Sequence, residues 1–359
     1  MRARSICRAF AAIGVAGLLL IGAGCGSDDN NSSSSSTSSS SSGGTTTEAA
    51  APAKKSIKVG LVTDIGGLND RSFNSLANAG LQKAKSELGI DGRVLTSKSN
   101  ADYVPNLSTL AQQKYDLVIG VGFLMADAVD TVAKKFPDTK FAIIDVDATG
   151  LKGKPSNVEG LLFKEQQSGY LAGYLAGLYA KDNNITTISS VGGQKIPPVD
   201  HYIAGYEAGA KAADPSIKTL HGYSQDFVDQ AKCKEIALNQ IGQGSKVVFQ
   251  VAGQCGLGAL DAAKEKGGQG IGVDADQAYL GPYILTSAIK KVDQAVFDTV
   301  KQVQDDKYTG GVNTTFEVSN NGAGIGKIGA AGTKYQAQVD AVKQKLADGS
   351  ITPPDTVAK

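Results

Sequence analysis

The chain has 359 residues, with 36 Lys plus Arg against 35 Asp plus Glu, 44 Gly, four Cys and no Trp. That length supports two domains of ordinary size. The balanced charge gives no footprint for nucleic acid or another polyanion, and two histidines, His201 and His221, without a Cys–His cluster argue against a structural zinc site.

The N-terminus reads as an address. Arg2, Arg4 and Arg8 precede an uncharged, small-residue apolar run over 10–24. At about 15 residues the run is short for a membrane span of about 20 and suits the core of a signal peptide. It ends in LIGAGC, so residues 1–24 are expected to be a lipoprotein signal peptide and Cys25 the lipid-bearing residue. One feature departs from a lipobox: Gly22 stands where Leu is usual, with Ile21 one place further back. Residues 25–55 follow, with two five-Ser runs and almost nothing larger than Ala among their apolar residues. Such a segment cannot bury enough surface to offset its ordering entropy and reads as a disordered tether.

From residue 57 the pattern changes. Strand-like runs at 57–63, 93–96, 117–121, 141–145 and 158–163 alternate with helical patterns at 72–88, 104–114 and 125–136. This predicts a parallel sheet with helical crossovers. A second series predicts helices at 165–181, 199–213, 229–243 and 257–266, and strands at 186–191, 218–223, 246–251 and 270–274. A strand, a helix over 293–305, a strand near 314–318 and an amphipathic helix over 333–348 complete the chain. Gly169, Gly173 and Gly177 recur at intervals of four, a spacing that brings helices close together, here inside a lobe rather than a bilayer because Glu165 and Lys181 flank the run. NGAGIGKIG at 321–329 fails the phosphate-loop spacing and reads as a turn-rich surface segment.

Chemistry concentrates where strands end, since open α/β sheets bind ligands at the carboxyl ends of their strands. The first strand, a Gly-containing loop and a helix with Ser72 as its N-cap candidate bring Asp64, Asn69, Asp70, Phe73 and Asn74 to such an edge. Asp64 and Asp70 read as ligand acceptor and helix brace, or as an acid–base pair. Phe123 follows the third strand as cleft wall or lobe core, and Asp145 and Asp147 close the fourth as ligand contact or loop caps. Cys233 and Cys255 either form a disulfide, which an exported compartment permits, or leave Cys255 as a thiol in the cleft.

DIGGLNDRSFN at 64–74 resembles the signature near the start of the basic membrane protein (BMP) family of substrate-binding lipoproteins. Further segments match in the family's order: EQQSGYLAGYLAG from 165, GGQKIPPVDHYIAGYEAGAK from 192, VAGQCGLGAL from 251, GVDADQ from 272 and TSAIKKVDQAVF from 286. The resemblance spans about 56–350. It implies a type I periplasmic-binding-protein fold, two doubly wound parallel-sheet α/β lobes joined by a multi-strand hinge. The expected division is 56–164 plus about 285–320 for the N-terminal lobe and 165–284 plus about 321–359 for the C-terminal lobe. It also implies an extracytoplasmic receptor, lipid-anchored to the outer face of the cytoplasmic membrane, that delivers a nucleoside to an ABC permease. No catalytic residue, cofactor or metal is expected, and the receptor is expected to be a monomer.

Carried over residue by residue, the resemblance makes Asp64 an acceptor for the base and Phe73 its stacking face. Asn69, Asn74, Phe123 and Asp145 line the same lobe. Phe227 is a second aromatic wall, Gly253 with Ala252 offers backbone groups, Asp274 takes the ribose hydroxyls, and Lys290 adds a polar contact, where a solvated helix-start lysine is the plainer reading. Two rivals stand beside this reading: a same-fold receptor for a sugar or signalling molecule, and a secreted nucleoside hydrolase.

Overall fold

The computed structural model describes residues 55–358. The signal peptide, Cys25 and nearly all of the tether lie outside the described residues. The first lobe is built from β1 (Lys58–Val62), α1 (Phe73–Leu88), β2 (Asp91–Leu95), α2 (Tyr103–Gln112), β3 (Leu117–Gly120), α3 (Ala126–Lys135), β4 (Lys140–Ile144) and β5 (Val158–Phe163). The second continues with α4 (Glu165–Asp182), β6 (Thr187–Gly192), α5 (Pro197–Ala213), β7 (Lys218–Tyr223), α6 (Gln230–Gly242), β8 (Ser245–Val251), α7 (Gly253–Glu265), β9 (Gln269–Asp274) and β10 (Ile284–Lys290). Then come α8 (Val292–Gln304), β11 (Val312–Phe316), β12 (Ala323–Ile325) and α9 (Gln336–Ala347).

The first sheet runs β11-β5-β4-β3-β1-β2, with every neighbouring pair parallel. The second runs β12-β10-β9-β8-β6-β7, parallel except where β12 meets β10. Helices cover both faces, so strands such as β3 are apolar and buried throughout. In each lobe the strand order reverses beside the first strand, β1 or β6. That is the switch point where α/β sheets open a crevice.

The chain passes between lobes three times: after β5, after β10 and after β11. The crossings lie side by side. Lys164 N–H donates to the Phe316 carbonyl (2.9 Å), Lys291 N–H to the Gly322 carbonyl (3.0 Å), and Val318 N–H to Gln167 Oε1 (2.8 Å). The stacked rings of Phe163 and Phe316 (5.0 Å between centroids) and the Lys164–Glu317 ion pair reinforce them.

Three sequence expectations change. Residues 284–290 belong to the second sheet, not the first lobe, because β10 pairs with β9 over 284–289, so the hinge crossing falls after Lys290. The turn-rich segment 321–329 contains β12, whose three residues pair antiparallel with β10 and close one edge of that sheet. Helix α7 starts at Gly253 rather than near 257 and takes GQCG into its first turn.

The glycine series of α4 packs against α5. A Cβ on Gly169 would lie 2.2 Å from the Tyr202 carbonyl oxygen, and one on Gly173 would lie 2.0 Å from that of Tyr206. The two backbones approach that closely because neither position has a side chain. Among the described residues no helix is long and apolar enough to cross a membrane.

Candidate functional site

The loops after β1, β3 and β4 face the loops after β6, β7, β8, β9 and β10 across a cleft of about 610 Å³, its open mouth included. The first lobe contributes Asp64, Ile65, Asp70, Phe73, Asn74, Gly122, Phe123 and Asp145. The second contributes Ile196, Pro198, Val199, Tyr202, Phe227, Val251, Gly253, Gln254, Val273, Asp274 and Lys290. Nine of the ten positions expected from sequence therefore meet here: Asp64, Phe73, Asn74, Phe123, Asp145, Phe227, Gly253, Asp274 and Lys290. Asn69 does not. The turn over Gly67–Asn69 is entered through two left-handed glycines, Gly66 and Gly67, and Asn69 lies instead in an outer recess with Leu68, Arg71 and Ser75.

Helix α1 begins in the cleft, and its cap is Asp70 rather than Ser72. Asp70 Oδ1 accepts from the N–H groups of Ser72 and Ser75 (3.1 Å each), and Oδ2 from Asn74 N–H (2.6 Å) and Asn74 Nδ2 (3.1 Å). Its carboxylate satisfies the first-turn amides and frees the Ser72 hydroxyl, which crosses to the other lobe and donates to Asp274 Oδ2 (2.7 Å). Asn74 is held in one orientation, since its Oδ1 accepts from Asp64 N–H (2.8 Å) while its Nδ2 donates to Asp70.

Asp64 Oδ1 accepts from Ile65 N–H (2.7 Å) and from the Tyr103 hydroxyl at the start of α2. Its Oδ2 faces Gly122, where a Cβ would lie 2.6 Å from that oxygen and 3.2 Å from the Phe73 ring. Gly122 also has φ 110°, so two constraints favour glycine there. Burial pushes the Asp64 carboxyl up to about 6, against the pull of Tyr103 and Ile65.

The second lobe meets these groups with Asp274 at the end of β9 and Lys290 at the end of β10. Asp274 Oδ1 accepts from the Tyr202 hydroxyl on α5 (3.0 Å). Lys290 Nζ lies 2.6 Å from Asp145 Oδ1 and 2.9 Å from Glu165 Oε1, and Glu165 Oε2 is 3.1 Å from His201 Nδ1. The ammonium also sits 5.0 Å from the Phe73 ring centre and 4.9 Å from that of Phe163.

Burial would lower the Lys290 pKa, but Asp145, Glu165 and Asp274 raise it above the ordinary value, so the lysine stays charged. Burial pushes Asp145 up to about 7 against the pull of Lys290, and raises Asp274 as well. Burial also opposes charge on Glu165, yet Lys290 and His201 hold it below the usual carboxylate range. Lys290, joined at Glu165 by His201, thus answers three buried carboxylates. The cleft is short of positive charge and offers acceptors to a ligand rich in N–H and O–H donors.

Other expectations resolve locally. Asp147 caps the turn after β4, accepting from Thr149 N–H (2.8 Å), and is not among the residues that line the cleft. Cys233 and Cys255 are joined as a disulfide with Cα atoms 5.5 Å apart, bracing α6 against α7, so Cys255 is not a cleft thiol. Among the described residues no group of His, Cys, Asp and Glu is arranged to hold a metal ion.

Sequence reasoning missed Tyr202, Ile196, Pro198 and Val199. All four fall in the segment from 192, but on α5 Tyr202 recurs with Tyr206 at helical spacing and reads as core. Glu165 and His201 were also missed, because their contact with Lys290 exists only once three elements converge.

The chain matches, over residues 57–356, the family model for Bmp, described as "ABC transporter substrate-binding protein PnrA-like". It is 37% identical over 315 residues to an uncharacterized lipoprotein of Pyrococcus horikoshii, covering 84% of this chain and 76% of that one. It is 34% identical over 323 residues to the ABC transporter nucleoside-binding protein BmpA of Lactococcus lactis subsp. cremoris, covering 84% and 90%. A solved structure of ABC transporter system solute-binding proteins from Aeropyrum pernix K1 superposes with TM-score 0.75 at 26% identity, covering 82% of this chain and 92% of that one.

Proposed function

Given that this chain belongs to the Bmp family of ABC transporter substrate-binding proteins, we propose that its solute is a nucleoside, bound between the lobes and handed to an ABC permease. The observation that carries the reading is the pairing, in one cleft, of an aromatic face on Phe73 with acceptors from opposite lobes, Asp64 and Asp274. A flat base stacks on Phe73, worth roughly 1–3 kcal/mol. Asp64 Oδ2 accepts a base N–H, the second amide hydrogen of Asn74 Nδ2 is free to donate beside it, and Asp274 takes ribose hydroxyls. Phe227 and Gly253 form the facing wall, and Phe123 the floor beside Asp64. Closure follows because the closed state gains contacts from both lobes that the open state lacks. In this reading Cys25 carries the lipid that holds a monomeric receptor at the outer face of the membrane, and the Bmp relative from Lactococcus lactis named for nucleoside binding supports the ligand class.

The hydrolase reading is weaker. Both oxygens of Asp70 already accept two donors each, which leaves Asp70 no lone pair for a proton from water. Thermal melts of the purified full chain with nucleosides, free bases, ribose and other sugars test the ligand class. A ligand at 100 times its Kd adds about 2.7 kcal/mol of stability. Shifts with nucleosides that exceed those with matched bases or ribose are expected. Shifts with sugars alone would overturn the reading in favour of a sugar receptor.

A further inference from the structure

We infer that Ser72 and Tyr202 are positioning residues that aim the Asp274 carboxylate at a vicinal diol, and that the Ser72 half of this arrangement forms only when the lobes close. The inference rests on the nucleoside reading above.

Asp274 ends β9 in a left-handed conformation, φ 59°, that few residues other than glycine adopt without support. Its carboxylate is gripped from two sides. Ser72 Oγ donates to Oδ2 at 2.7 Å, and the Tyr202 hydroxyl donates to Oδ1 at 3.0 Å. Both donors are buried, Ser72 at 0% and Tyr202 at 3% exposure. Each carboxylate oxygen has two acceptor sites. One on each is used, so one on each remains. The two that remain lie on one rigid group and match the two O–H donors of a cis-diol.

The two grips differ in origin. Tyr202 belongs to α5 in the same lobe as Asp274, so its bond survives any lobe motion. Ser72 belongs to the first lobe, and its hydroxyl is available only because Asp70 has taken over the capping of α1. Separation of the lobes breaks the Ser72 bond and frees the carboxylate to rotate about one remaining anchor. Selectivity for the diol therefore resides in the closed form, while stacking of the base on Phe73 does not require Asp274 to be fixed.

The test compares Ser72→Ala and Tyr202→Phe with the wild type in the full chain. Calorimetric titration with adenosine, inosine and uridine, with their 2′-deoxy counterparts and with the free bases gives two readouts. The preference for ribonucleoside over deoxyribonucleoside should fall about tenfold in each variant, in line with loss of a hydrogen bond to a charged acceptor. Free-base affinity should change less than twofold, which a general loss of structure would not allow. An unchanged preference in both variants, or base affinity falling in parallel with it, overturns the inference and leaves the nucleoside reading intact. Wild-type protein that binds no nucleoside overturns both. Tyr202→Phe keeps the ring packing and carries the test alone where Ser72→Ala fails to fold.

Discussion

Replacing Asp64 with Asn separates what burial costs this carboxylate from what its hydrogen bonds return. Asn is nearly isosteric, and its Oδ1 can still accept from Ile65 N–H and the Tyr103 hydroxyl. What changes is titration. Asp64 rises from 3.8 to about 6 on folding because it is buried. A carboxyl with a raised folded value binds more protons folded than unfolded between those limits. It therefore favours the folded state at low pH, and that contribution is lost as pH rises through about 6. Between pH 5 and pH 7.5 the loss integrates to on the order of 1 kcal/mol for a shift of this size. The amide of the variant does not titrate and has no such dependence. Asp64→Asn should accordingly gain on the order of 1 kcal/mol on the wild type when the comparison moves from pH 5 to pH 7.5. Asp145, also raised by burial, titrates in both proteins and drops out of the difference. Urea denaturation of the unliganded proteins at the two pH values reads this directly. A difference that is constant with pH, or one that moves in favour of the wild type at pH 7.5, would refute the assignment of a buried, high-pKa carboxyl at this position.

Three further outcomes follow from the packing. Lys290→Met leaves Asp145 and Glu165 buried without their cation and should lower the unfolding free energy by about 3–5 kcal/mol at neutral pH; urea denaturation showing a loss under 1 kcal/mol would contradict the ion-pair account. Gly173→Ala drives a methyl toward the Tyr206 carbonyl and should cost about 2 kcal/mol or more, whereas Gly242→Ala at the end of α6, with nothing within 4 Å, should be neutral or slightly stabilising; equal melting temperatures for the two would contradict the close-approach reading. Cys233→Ala opens a disulfide with sequence separation 22 and should cost about 3 kcal/mol, with the wild type falling to the same stability after reduction; a reduced wild type as stable as the oxidised one would remove the bond from any structural role.

Local pattern carried most of the architecture. Apolar runs of strand length alternating with helical ones place the two lobes, because each element states its own period. Strand ends then place Asp64, Phe73, Asp145 and Asp274 without reference to the partner lobe. What the pattern could not reach depends on contacts between distant elements. Ser72 looks like a cap because caps are judged within a few residues, yet the side chain that reaches the α1 amides is Asp70 and the Ser72 hydroxyl spans 202 positions to Asp274. Strand β10 is buried along its whole length, as a strand of either lobe would be, so its sequence does not say which sheet it joins; its register with β9 does. Tyr202 carries no local mark of function, since its ring packs edge-on to Phe249 as a core residue would, and its hydroxyl finds Asp274 only in the folded lobe. Asn69 shows the opposite failure, a residue close in sequence to the site that a short turn carries away from it.

The triple crossing between lobes also sets an order in time. Strand β11 pairs with β5 at the edge of the first sheet, and α8 packs its apolar side, including Val296 and Val300, into the first core. Both are synthesised after every parallel strand of the second lobe, so the lobe begun first is finished nearly last. Neither lobe is one continuous stretch of chain, and a nascent chain that stops short of residue 316 holds two unfinished cores. Folding must wait for almost the whole sequence, and the pairings that end the wait are long-range and slow. The same topology that joins the lobes also delays their collapse until the chain is nearly complete.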